Sequence, residues 1–211
     1  MRITNLLAVM AAATSLAVSG AAPAFAQGPN DGPAILTLGG PAGTAVPVGD
    51  VLSGTLVPGT FQLTIDGFLG VTCTSSSGSA TVTSNPAAPG TVTASLNGAP
   101  APGGCTGIPG VSLQSVDLGQ FNASASDTGS PQSFPVRATV TVSTLLGPIS
   151  CTYQTAVAAS LDRASQSLAI TAQSSGVSDN PVVCPASASL SATYGSFTDT
   201  SRPGNPSVYV N

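Results

Sequence analysis

The string Asp127-Thr128-Gly129-Ser130 is the one stretch of this chain that matches a catalytic motif. In aspartic proteases two such motifs face each other across a pseudo-two-fold axis, and their carboxylates share one proton. A partner is at hand in Asp199-Thr200-Ser201. The surroundings weigh against that chemistry. Ser201 stands where glycine is needed for the tight turn, and Asn122-Ala123-Ser124-Ala125-Ser126 precedes the first copy where an apolar strand is required. The chain is also short for a two-lobed enzyme. Asp-Thr-Gly serves equally as turn chemistry, since an Asp side chain bonds the backbone just after it and glycine accepts a positive φ. The expectation is a solvated turn, with no catalytic residue.

Other reactive side chains are missing by type. The sequence has no His, Lys or Glu, so every acid is Asp (31, 50, 66, 117, 127, 162, 179, 199) and every base Arg (2, 137, 163, 202). Ser-His-Asp and Cys-His sites, lysine Schiff bases and imidazole metal sites are thereby excluded. Loop aspartates could hold calcium with backbone carbonyls, but no D-x-[DN]-x-[DN]-G run is present, and Asx-turns account for them as well. No metal or cofactor is expected. With no Trp and few aromatics, a stacking platform for sugars or single strands is hard to build.

The four cysteines, Cys73, Cys105, Cys151 and Cys184, read as structural. They lack the close Cys/His spacing of a zinc site, and export favours disulfides. Four cysteines allow three connectivities. Cys73–Cys105 and Cys151–Cys184 is the preferred pairing, and the other two, which would join the halves, stay open.

The elements that must position these residues are short alternating runs rich in Val, Thr, Ile and Leu, divided by Gly/Pro/Asn/Ser clusters. Ala34–Leu38, Phe61–Ile65, Ala80–Thr83, Thr91–Leu96, Val136–Val142 and Ser167–Ala172 are the clearest. In Phe61–Ile65 odd positions are apolar and even ones polar, and the alternation through Val136–Val142 puts Arg137 on the wet face. The chain also repeats itself. Leu69-Gly70-Val71-Thr72-Cys73-Thr74 recurs as Leu146-Gly147-Pro148-Ile149-Ser150-Cys151-Thr152, and the second cysteines follow 32 and 33 residues later. Each copy continues to a Gly-x-Phe (Gly119-Gln120-Phe121, Gly195-Ser196-Phe197) and an Asp-Thr loop. The expected fold is all-β, an Ig-like β-sandwich or barrel of two tandem repeats, each with about five strands and one cysteine pair. The repeats fall in residues 27–130 and 131–211, as one shared core or two small ones.

Residues 1–26 read as a secretory signal peptide: Arg2, the apolar run Leu6–Val18, and Ala24-Phe25-Ala26 as the cleavage signal before Gln27. The run is too short to span a bilayer, which needs roughly 20 apolar residues. Cleavage leaves three Arg against eight Asp, a net charge of −5. Such a chain has no basic stripe for nucleic acid or anionic membrane. Only 6% of residues are charged, against a usual share of about 25%, so hydroxyl and backbone groups must keep the surface wet.

Val48-Gly49-Asp50-Val51-Leu52-Ser53-Gly54, Gly70-Val71-Thr72-Cys73-Thr74, Ala80–Leu96, Leu145-Leu146-Gly147, Cys151-Thr152-Tyr153 and the ending Phe197–Asn211 carry a family resemblance. Over nearly all of the mature chain they resemble secreted actinobacterial proteins that go by the name Tat pathway signal sequence domain protein. The resemblance implies export and brings no activity. Arg2 has no second arginine beside it, which favours the general secretion route here. The expected function is a secreted, non-catalytic protein with a structural or binding role at or outside the cell envelope, engaging an extracellular or cell-surface partner. The alternatives are a small-molecule (chromophore-type) carrier and a protease inhibitor using a loop such as Pro100–Pro109.

Overall fold

The computed structural model describes residues 32–65, 68–97, 100, 102–107, 109–119, 122–129, 131–177 and 184–211. The expected signal peptide, its cleavage point, Gln120-Phe121 and Ser130 lie outside them. The described residues form strands and no helix. Where large apolar residues alternate with polar ones, the strands follow the pattern. In β4 (Phe61–Ile65) Phe61 and Leu63 are buried while Gln62 and Thr64 are exposed. In the sixteen-residue β11 (Gly147–Asp162) every second residue from Cys151 to Leu161 is buried. Arg137 lies exposed on β10 (Gln132–Thr144).

Seven strands close into a barrel. Their ring order is β3 (Val51–Leu56), β6 (Ser77–Ser84), β7 (Thr91–Leu96), β9 (Asn122–Ser126), β11, β12 (Ser167–Val177) and β13 (Ser187–Asp199), with β13 returning to β3. Asn122–Ser126, which lacks the apolar run of a protease strand, is a strand all the same. It reads weakly as one because its inward residues, Ala123 and Ala125, are small.

Three strands of the ring are long enough to serve a second layer. The first half of β13 pairs with β4, which pairs with β5 (Phe68–Cys73). The edge of β11 takes β10, which takes β8 (Ser112–Asp117). Between these wings lies one core, with Phe61, Leu63, Val71, Val116, Val140 and Tyr153 at its centre. A second core fills one end of the barrel, where a three-stranded sheet of β14 (Val208–Val210), β1 (Leu36–Leu38) and β2 (Thr44–Ala45) forms a plug. Side-chain amides fasten it. Asn85 accepts from the Leu36 amide and donates to the Leu36 and Val46 carbonyls at 2.8–2.9 Å. Gln166 bonds both backbone groups of Val210, and Asn211 donates to Ala34.

Both disulfides sit in the core between the wings: Cys73–Cys105 ties β5 to the loop after β7, and Cys151–Cys184 ties β11 to the segment before β13. The latter closes 33 residues, for which chain entropy gives a stabilisation of about 3–4 kcal/mol. Replacing Cys151 and Cys184 together by Ser is expected to lower unfolding free energy by about that amount in urea titrations. A loss under about 1 kcal/mol would show that the denatured chain is already constrained.

Candidate functional site

Side chains facing inward from the ring divide into two arcs. β3, β6, β7 and β9 present Gly54, Gly78, Ala80, Ala94, Ala123 and Ala125 beside the larger Leu52, Val82, Val92 and Leu96, whereas β11, β12 and β13 present Ala159 with Leu161, Leu168, Ile170, Tyr194 and Phe197. Side chains just fill a barrel of about eight strands when they have ordinary size. Here one arc is mostly glycine and alanine, and the interior keeps a cavity of about 150 Å³. It is bounded by Leu36 and Val208 of the plug on one side and reaches Leu96 and Pro100 on another. A smaller cavity of about 60 Å³ shares the Leu96, Pro100, Ala123, Ala159 and Ile170 wall and continues toward Phe134 and Val157. The lining is nearly all hydrocarbon. The hydroxyl of Tyr194 is bonded to Ser76 Oγ at 3.1 Å, and burial holds that phenol neutral, above its ordinary pKa. A hydrocarbon-lined space of this size has room for a single aromatic ring.

A bulge in β13 decides which residues face in. Ala192 and Tyr194 point inward, and plain alternation would continue with Ser196 and Thr198. The register against β3 instead slips between Gly195 and Thr198, and Ser196 adopts a φ of 52° and is exposed. The extra residue turns Phe197 and Asp199 inward, a re-aiming that β-bulges commonly perform. The Phe197 ring lies on Gly54, where a Cβ would stand 2.6 Å from the ring. Gly78 pairs with Gly54 across the strands and has open space where its Cβ would be.

The two Asp-Thr turns follow or end strands, and no hydrogen bond joins their described residues. Asp127 is buried rather than solvated, contrary to expectation, while Thr128 and Gly129 are exposed. Its carboxylate accepts from the Gly90 amide at 2.9 Å and from Arg163. Asp199, also fully buried, caps the Ser201 amide at 3.0 Å and shares Arg202 with Asp50: Arg202 Nε lies 2.8 Å from Asp50 and 3.1 Å from Asp199. Both aspartates are thus committed to turn amides and arginines, with no proton-sharing dyad between them. Among the described residues no three Cys, Asp, His or Glu side chains cluster as a metal site. Tyr153, central in the other core, has a buried hydroxyl without a hydrogen bond, and burial raises its pKa. Sequence reading missed the cavity, because it is a property of small residues from four strands.

No protein-family model, curated protein or solved structure matches this chain.

Two expectations follow from the geometry. Gly54→Ala drives a methyl into the Phe197 ring and is expected to destabilise by about 1–3 kcal/mol, as overpacking does. Gly54→Ala combined with Phe197→Leu should recover part of that loss in chemical denaturation, whereas no recovery would show that the clash lies elsewhere. The second concerns Asp199, whose carboxyl is pushed above its ordinary value of 3.8 by burial first and by neighbouring Asp50 second, with the Ser201 amide and Arg202 opposing. A raised folded-state pKa gives a contribution to stability that is complete below the unfolded value and lost as pH rises through the folded one. The stability of the wild type minus that of Asp199→Asn is therefore expected to fall as pH rises from below to above the ordinary carboxylate range. A flat difference in denaturant titrations across that range would contradict it.

Proposed function

We propose that this is a secreted, non-catalytic binding protein whose β-barrel holds a small apolar molecule. The observation that carries the reading is the cavity of about 150 Å³ behind an arc made mostly of glycine and alanine. Cores ordinarily pack to the density of organic crystals, and a void of this size forgoes the contacts that would fill it. Gly78, paired with Gly54 and with open space at its Cβ position, is a place where a larger side chain would close the void. A binding function is a reason to keep it open. The ligand class suited to it is a single-ring or short-chain hydrocarbon with at most one polar group.

The same reading takes the fold as an Ig-like descendant of two tandem repeats, supported by cysteine pairs separated by 32 and 33 residues. It is supported also by two Asp-Thr turns that each bind an arginine. A structural role at the cell envelope is the second reading. It is favoured by Leu145 and Leu146, 91% and 99% exposed at the tip of the β10–β11 hairpin. The described residues include no helix long and apolar enough to cross a membrane; on this reading the two leucines meet a cell-surface partner.

Fluorobenzene, phenol and a C6–C8 alcohol series titrated against the purified protein test the first reading. A ligand at about 100 times its Kd stabilises by about 2.7 kcal/mol, which a thermal-shift measurement resolves easily. Gly78→Leu, which fills the void, is expected to raise the melting temperature of the free protein and abolish the shift. Shifts that persist in Gly78→Leu, or no shift with any probe, overturn the cavity reading. Release from cells of a Leu145→Ser/Leu146→Ser variant, with the wild type retained, would support the envelope role instead.

A further inference from the structure

The barrel is closed unevenly. Neighbours in the ring are joined over four to nine residue pairs, antiparallel throughout, except for β9 and β11, which meet in parallel at the single pair Ser126–Ser160. The cause is a competition for one strand edge. β10 occupies the edge of β11 from Gly147 through Ala159, leaving only the residues beyond for β9. Asn122–Ala125 of β9 pair with β7 on one side and have no strand partner on the other among the described residues. The smaller cavity lies beneath this gap, lined by Ala123 from one side and by Phe134, Val157 and Ala159 from the other. It shares its wall with the larger cavity.

One ionic contact bridges the seam. Asp127 follows directly on β9 and is anchored to the β6–β7 connection through the Gly90 amide. Arg163 belongs to the β11–β12 turn, where Asp162 bonds the Ala164 amide and the Ser165 hydroxyl. Their ion pair links the two sides next to the lone Ser126–Ser160 pair. The Asp127 carboxylate is fully buried and the Arg163 side chain is 48% exposed. The guanidinium can therefore leave toward water while the carboxylate keeps its bond to Gly90.

Resting on the binding reading above, we infer that small apolar ligands enter and leave through the seam between β9 and the start of β10, and that Asp127–Arg163 is the clasp that holds it shut. Opening there breaks one strand pair and one ion pair. Opening at the plug would break the Asn85, Gln166 and Asn211 bonds together, and opening elsewhere in the ring would break at least four strand pairs.

The test is the exchange rate of fluorobenzene, followed by ¹⁹F exchange NMR on the full mature chain. Arg163→Gln is expected to raise the dissociation rate at least tenfold with Kd changed less than threefold, because a clasp acts on both directions of exchange alike. Arg202→Gln, which removes the other buried aspartate's partner away from the seam, is expected to leave the rate unchanged. A cysteine pair at Ser126 and Ser160 is expected to slow exchange at least tenfold when oxidised and release it on mild reduction. That variant carries the test if Arg163→Gln fails to fold. Binding of fluorobenzene to the wild type with exchange rates unaltered by the seam variants overturns the portal and leaves the cavity reading standing. Absence of any binding to the wild type overturns the cavity reading, and the portal with it.

Discussion

An odd number of strands cannot close into a ring with every neighbour antiparallel. Seven strands leave one parallel contact, and in this protein it falls between β9 and β11. Parallel pairing is slightly weaker per residue, and parallel neighbours need a long connection rather than a hairpin. Here the chain between β9 and β11 folds as β10, which pairs with β11 along most of its length. The parallel contact is reduced to a single pair. Much of the molecule's character follows from that reduction: a stretch of β9 over the smaller cavity without a second strand partner among the described residues, a buried aspartate beside it, and a long hairpin that leaves the barrel to build a second core.

The two cores divide the work. Between the wings the fillers are large, both disulfides are present, and Phe61, Leu63 and Tyr153 are nearly inaccessible. Inside the barrel many of the fillers on four strands are glycine and alanine, and stability there leans on the plug, where Ile35, Val46 and Val210 pack against Val82 and Leu161. Strands β11 and β13 take part in both, so the well-packed core holds two walls of the poorly packed one. That arrangement lets a void persist, because the strands around it are fixed by contacts made elsewhere.

What could be read from the sequence was set by side-chain size. β4 and β10 announce themselves through large residues alternating with polar ones, and Arg137 marks the wet face of β10. The all-β class follows from such runs and from the turn residues between them. β9 does not announce itself, because Asn-Ala-Ser-Ala-Ser carries almost no hydropathy contrast, and the same small residues that hide the strand make the cavity. The burial of Asp127 was illegible for another reason. It depends on Arg163, 36 residues away, and on a ring closure that no local pattern encodes. The β13 bulge likewise rests on one residue, Ser196, at a positive φ where glycine would be usual.

The scarcity of charge gives the remaining ones definite places. Of the arginines among the described residues, Arg137 faces water, while Arg163 and Arg202 each meet a buried aspartate that directly follows or ends a strand. Buried carboxylates are costly to leave unpaired, so these positions fix the turns that follow β9 and β13. The two turns are not equivalent in consequence. Arg202 comes from three residues beyond Asp199 and serves Asp50 as well, tying a loop to itself and to the start of β3. Arg163 reaches across from a turn joined to β9 by a single strand pair. The same local chemistry thus makes a corner in one place and a clasp in the other, and the difference is set by which strand edge β10 has already taken.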